Sequence, residues 1–153
     1  MIYILDTNII SYIIKNRDFS LIDKFETMSK EHIIGVSSIT VAELFYGVMK
    51  KNSKKLELAV NEFLLPLTKF TFDENSALEY AKIRNELEKK GEIIGSNDLF
   101  IASHAKSLNA ILVTNNTKEF LRIKDLKIED WTIENQLLES ARKIKNSANE
   151  ELE

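Results

Sequence analysis

Apolar residues follow two rhythms along this chain. Uninterrupted runs at Ile2-Tyr3-Ile4-Leu5, Ile33-Ile34-Gly35-Val36 and Ala110-Ile111-Leu112-Val113 have the length and β-branched content of strands buried on both faces. Between them, apolar positions recur at helical spacing. This predicts helices over residues 9–15, 19–30 (Phe19, Leu21, Ile22, Phe25), 40–50 (Val41, Leu44, Phe45, Val48), 54–65 and 75–90 (Leu78, Ala81, Ile83 and Leu87 inward). Two further helices are predicted over 96–108 (Leu99, Phe100, Ala102, Ala105) and 117–123. Pro66 stops the fourth helix and Gly91 the fifth. Residues 70–72 and 127–133 are weaker strand candidates, the second at an edge. Strands alternating with helices predict one α/β domain, with a parallel sheet of four or five strands sandwiched between helices and joined by right-handed crossovers.

From Glu134 onward, Leu137, Leu138, Ala141 and Ile144 hold helical spacing before the sequence turns polar and acidic. This predicts a C-terminal helix that frays, available to a partner or a second copy, and divides the chain into a domain over 1–133 and an extension over 134–153. Leu152-Glu153 also has the look of a vector-derived remnant.

Composition narrows the chemistry. With no cysteine and only His32 and His104, disulfides, thiolate metal sites and histidine-rich zinc sites are excluded, so a bound metal must be held by oxygen. His104 lies two turns into its helix, and a structural or partly exposed role is expected. No apolar run approaches the roughly 18 residues of a membrane span, and no basic leader precedes the first strand, so the expectation is a soluble cytoplasmic protein. A net charge of −3 argues against coating nucleic acid by bulk electrostatics but leaves room for local basic tracts. The candidates are Lys50, Lys51, Lys54 and Lys55, then Arg84, Lys89 and Lys90, although cations in the last turns of helices satisfy the helix dipole as well.

Carboxylates recur where a doubly wound sheet brings loops together. Asp6 ends the first strand, Glu43 follows the second, Asp98 opens a long helix, and Glu119 follows the strand over 111–113. Each has a plain alternative. Asp6 or Thr7 can cap a helix, Thr40-x-x-Glu43 matches a capping box, Asp98 suits a helix N-terminus, and Asn116-x-x-Glu119 repeats the capping pattern. Their coincidence is the argument for a site. Clustered carboxylates repel unless a cation compensates, and an all-oxygen set suits Mg²⁺ or Mn²⁺, which activate water against phosphate esters. No phosphate loop, H-E-x-x-H or G-x-S-x-G is present, and Asp6-x-Asn8 falls one acid short of the D-x-D of aspartyl-phosphate phosphatases.

The stretches Leu5-Asp6-Thr7-Asn8, Ser38-Ile39-Thr40-Val41-Ala42-Glu43-Leu44, Ile94-Gly95-Ser96-Asn97-Asp98-Leu99-Phe100-Ile101-Ala102 and Val113-Thr114-Asn115-Asn116-Thr117-Lys118-Glu119-Phe120, with the Glu129-Asp130-Trp131 ending, resemble PIN-domain ribonucleases. More narrowly they resemble VapC-type toxins of bacterial toxin–antitoxin pairs, over residues 1–133. The resemblance implies a three-layer α/β/α fold, Mg²⁺- or Mn²⁺-dependent hydrolysis of RNA, a homodimer, and a cognate antitoxin that occludes the site. It carries Asp6, Glu43 and Asp98 over as an acidic metal-binding triad, with water attacking phosphorus in line to leave a 5′-phosphate and a 3′-hydroxyl. Where the broad family often has an acid this chain has Asn116, and Glu119 is expected to supply the fourth carboxylate. Thr7, Asn8, Thr114 and Asn116 are expected to orient carboxylates or water. Within this subtype the implied substrate is the anticodon stem-loop of initiator tRNA. The competing expectations are a PIN-like module that binds RNA or protein without cutting, and a phosphatase of small esters.

Overall fold

A computed structural model describes residues 1–150, with the backbone alone described at 133–136, 138 and 139. The strands β1 (Ile2–Leu5), β2 (Ile33–Ser37), β3 (Thr68–Phe70), β4 (Ile111–Val113) and β5 (Lys127–Glu129) form one parallel sheet in the order β3-β2-β1-β4-β5. β1 is central, as its unbroken apolar run requires. Alternation along it then splits the core in two. Tyr3 and Leu5 face helices α1 (Thr7–Asn16), α2 (Phe19–Ser29), α3 (Ser38–Lys51) and α4 (Lys54–Leu64), together with Trp131. Ile4 faces the opposite layer, α5 (Glu74–Lys90) and α6 (Ser96–Ser107), with Phe120 of α7 (Thr117–Phe120). The result is the expected three-layer α/β/α arrangement.

Strand order reverses between β1 and β4, because the chain leaves β1 toward β2 and β3 and later returns to the other side. The crevice at that reversal, outside the carboxyl ends of the strands, is where open α/β sheets place their ligands. Asp6 and Thr114 stand on either side of it, joined by the Asp6 amide donating to the Val113 carbonyl at 2.9 Å.

Several expected boundaries move, each for a local reason. β3 covers 68–70 instead of 70–72, because Phe72 leaves the sheet: its amide donates to Ser38 Oγ at 3.1 Å and its ring packs edge-on against Phe100 and His104. The inward face of α5 is Ser76, Ile83 and Leu87, while Leu78 and Ala81 are exposed. Ser76 occupies the inward position because its hydroxyl pairs with that of Ser107 at 3.0 Å, a polar contact that apolar periodicity does not register. Phe19 is likewise exposed, and α2 packs through Leu21 and Phe25. α7 is a single turn ending at Phe120. β5 stops at Glu129, because Asp130 accepts from the Thr132 amide at 2.9 Å and starts helix α8 (Trp131–Glu150) three residues before the expected 134. Leu137, Ala141 and Ile144 of α8 are exposed, and Leu152-Glu153 lies outside the described residues. Gly91 ends α5 at φ 67°, a left-handed conformation that glycine adopts without strain.

Candidate active site

Each acidic position can be tested against its capping alternative. Asp6 occupies the N-cap position of α1, yet its carboxylate makes no capping hydrogen bond. The Glu43 capping box fails because α3 starts earlier: its N-cap is Ser37, whose hydroxyl accepts from the Ile39 amide at 3.1 Å. Asp98 lies in the first turn of α6 behind an N-cap at Gly95, with no side-chain cap. Asn116 precedes α7 without capping it. None of the four carboxylates therefore serves as a side-chain cap, although Asp98 and Glu119 do hold the first-turn positions where the helix dipole favours a negative charge.

Asp6 is fully buried. Its Oδ2 accepts from the Thr114 hydroxyl at 2.8 Å, while Oδ1 is buried without a hydrogen-bond partner. Burial raises its pKa to about 6; the Thr114 hydroxyl and the Thr7 and Asn8 amides oppose that rise, and the Glu43 charge adds to it. Asp98 is half-buried and raised to about 7, first by burial, then by a hydrogen bond with Glu119, then by the charges of Asp6, Glu119 and Glu43. These mutual perturbations place Asp6, Glu43, Asp98 and Glu119 in one electrostatic cluster at the crevice, although they come from four separate segments.

The supporting groups divide unevenly. Thr7 Oγ1 donates to Glu43 Oε1 at 2.8 Å and lies 3.1 Å from the Thr40 hydroxyl. Asn97 Nδ2 donates to Glu43 Oε2 at 3.1 Å, so both oxygens of that carboxylate are fixed. The Thr114 hydroxyl also accepts from the Asn116 amide at 3.0 Å, and Asn116 Nδ2 reaches Glu119 Oε2 at a long 3.4 Å. Asn8 acts through its backbone amide, its side chain being exposed. The sequence offers Thr40 only as half of a capping box and hides Asn97 beside the more conspicuous Asp98, so only the folded distances reveal their contacts.

His104 is buried and lies outside this cluster, on the structural side of the expectation. Its Nδ1 lies 2.7 Å from the Ser37 hydroxyl, and burial depresses its pKa, with the Asp73 charge opposing. The pair pins the start of α3, which carries Glu43, to the end of α6, which carries Asp98.

The cluster suits a hard divalent cation. A buried carboxylate oxygen without a partner, and an Asp98 carboxyl pushed up to about 7 by burial, by its hydrogen bond with Glu119 and by the neighbouring charges, are the features such a cation would relieve. Among the described residues, no three acidic or histidine side chains stand together as a ready metal-holding group.

The PIN domain family model matches residues 3–126. The chain belongs to the PIN-domain family. It is 47% identical over 132 residues to Ribonuclease VapC2 of Rickettsia felis, covering 86% of this chain and 98% of that protein. It is 39% identical over 131 residues to the tRNA(fMet)-specific endonuclease VapC of Shigella flexneri, covering 85% of this chain and 98% of that one. Among solved structures, it resembles the promoter-DNA-bound VapBC2 complex of Rickettsia felis with a TM-score of 0.81 and 46% identity, over 86% of this chain and 99% of that chain. Within the PIN family the chain is thus of the VapC type. Among the described residues, no helix is long and apolar enough to cross a membrane.

Proposed function

We propose that this PIN-domain chain is an endoribonuclease toxin that uses Mg²⁺ or Mn²⁺ to hydrolyse RNA phosphodiesters and is held silent by a cognate antitoxin. The observation that carries this reading is the Asp6, Glu43, Asp98 and Glu119 cluster, with its buried, unpartnered Asp6 oxygen, at the sheet's switch point. Asp6, Glu43 and Asp98 would hold the cation. When bound, it supplies Lewis-acid polarisation of the phosphoryl group and lowers the pKa of water. Thr114 fixes Asp6 through Oδ2 and leaves Oδ1 without a hydrogen-bond partner, while Thr7 and Asn97 hold both oxygens of Glu43. Asp98, raised to about 7, holds its proton close to neutrality, and cation binding would release it.

The VapBC neighbours support an antitoxin partner, and the Shigella relative supports tRNA, with the anticodon stem-loop of initiator tRNA as the first substrate to try. Loop bases splayed from such a stem suit protein recognition. A homodimer remains the expected assembly, and residues 134–153 an extension appended to the nuclease. The decisive experiment is cleavage of a total tRNA pool by antitoxin-free protein with Mg²⁺, Mn²⁺ or chelator, with new 5′ ends mapped. Discrete metal-dependent cuts, lost in Asp98→Asn that remains folded, are expected. Mn²⁺ binding without turnover on any RNA would favour a binding module instead, and turnover of generic phosphomonoesters with indifference to RNA would favour a phosphatase.

A further inference from the structure

The sequence offers seven cations as candidate phosphate contacts, and the fold separates them. Lys50 lies in the last turn of α3, outside the groove that Lys51 and Lys55 line. Lys54 pairs with Glu57 at 3.5 Å and Arg84 with Glu88 at 2.9 Å, both in contacts along their own helices. Lys89 and Lys90 complete the last turn of α5, a helix of the opposite layer. Lys51 and Lys55, by contrast, line a groove of about 580 Å³ that begins at Thr7 and Glu43 and runs between α1, α3 and α4. That volume lies in the usual range of ligand sites, about 300–1,000 Å³. Lys15 and Arg17, from the end of α1, line the same groove. Among the described residues none of these four cations is in an ion pair, and Glu43 is the only carboxylate of the lining.

Four unpaired cations around one end-placed acid, in a chain of net charge −3, form a local concentration of positive potential that bulk composition conceals. The lining also includes apolar Ile14, Leu44, Leu56 and Val60, so the cations are the groups that would take phosphates. Beyond Arg17 the lining changes to an apolar cleft carrying Glu26 and Glu62, which would repel a phosphate chain. The tract therefore has an end.

We propose that Lys15, Arg17, Lys51 and Lys55 form a tract that holds the backbone of single-stranded RNA on one side of the scissile phosphate, leading it to Thr7 and Glu43. This rests on the nuclease reading for its direction but is tested apart from it. The probe is a fluorescent twelve-nucleotide oligouridylate, bound to antitoxin-free protein in chelator so that it stays intact, with affinity followed against KCl by anisotropy. Four phosphate contacts predict a log–log salt slope of about −2.8, falling to about −1.4 in Lys51→Gln/Lys55→Gln, with binding roughly 10–30-fold weaker at 0.1 M salt. Lys89→Gln/Lys90→Gln should leave both unchanged. All six positions involved are exposed, and circular dichroism of each variant is the check that it folds.

Equal effects of the two pairs, or no change of slope, would overturn the tract. So would unchanged RNA binding accompanied by weakened binding of the antitoxin's C-terminal peptide, which would assign the groove to the protein partner. Binding with the expected slopes but no cleavage would sink the nuclease reading alone. Cleavage of the tRNA pool that is insensitive to the Lys51/Lys55 pair would sink the tract alone.

Discussion

Replacing Asp6 by Asn removes the ionisation of a carboxyl that the fold buries completely and whose Oδ1 has no hydrogen-bond partner. Its folded pKa of about 6 lies above the ordinary 3.8, so the folded state binds this proton more tightly than the unfolded chain does. Asp6 therefore favours folding at low pH. That contribution fades as pH rises from below 4 through 6. A rise of this size corresponds to about 3 kcal/mol between the limits, or about 2–3 kcal/mol between pH 4 and pH 8. Asn keeps an oxygen for Thr114 but places an amide where Oδ1 lacks a partner, a penalty that does not change with pH. The informative quantity is thus the difference in unfolding free energy between Asp6→Asn and the parent, followed across pH in chelator by urea denaturation. It should move in favour of Asn by about 2–3 kcal/mol from pH 4 to pH 8, which includes the lost repulsion with Glu43. Saturating Mg²⁺ at pH 8 should stabilise the parent by about 2.7 kcal/mol at a hundred times its dissociation constant, and Asp6→Asn little. A difference that stays flat with pH would mean that the buried Oδ1 is well solvated, and would remove the main physical reason for a cation there.

Thr7→Val and Thr114→Val keep side-chain shape but remove the hydroxyls on Glu43 and Asp6, and each should lower metal affinity or cleavage about 10–100-fold, read by Mn²⁺ titration and RNA cleavage. His104→Ala breaks the bond to Ser37 and opens a cavity beside Phe70 and Phe72, so unfolding should become easier by roughly 3–5 kcal/mol in a denaturant titration. Residues 140–150 are exposed throughout, so truncation after residue 139 should change stability by less than about 0.5 kcal/mol and leave cleavage intact, as thermal unfolding and the tRNA assay would report. A larger loss would make the extension part of the folded unit.

Much of the architecture is written locally. The apolar runs of β1, β2 and β4 cannot sit anywhere but inside a covered parallel sheet, and Pro66 and Gly91 punctuate helices by backbone geometry alone. The acids Asp6, Glu43, Asp98 and Glu119 could be named from their places beside strands and helices. What the sequence left open was whether they cap helices or meet, since Thr40-x-x-Glu43 is a sound capping box until Ser37 takes the cap. Tertiary structure decided this because caps are contacts over three residues, whereas the Thr114–Asp6 and Asn97–Glu43 bonds span 108 and 54. The same reason separates Lys51 and Lys55 from Lys54. All three are charged residues in helical surroundings, and only the packing of α1 against α3 and α4 sets two of them around a groove and leaves the third to its neighbour Glu57.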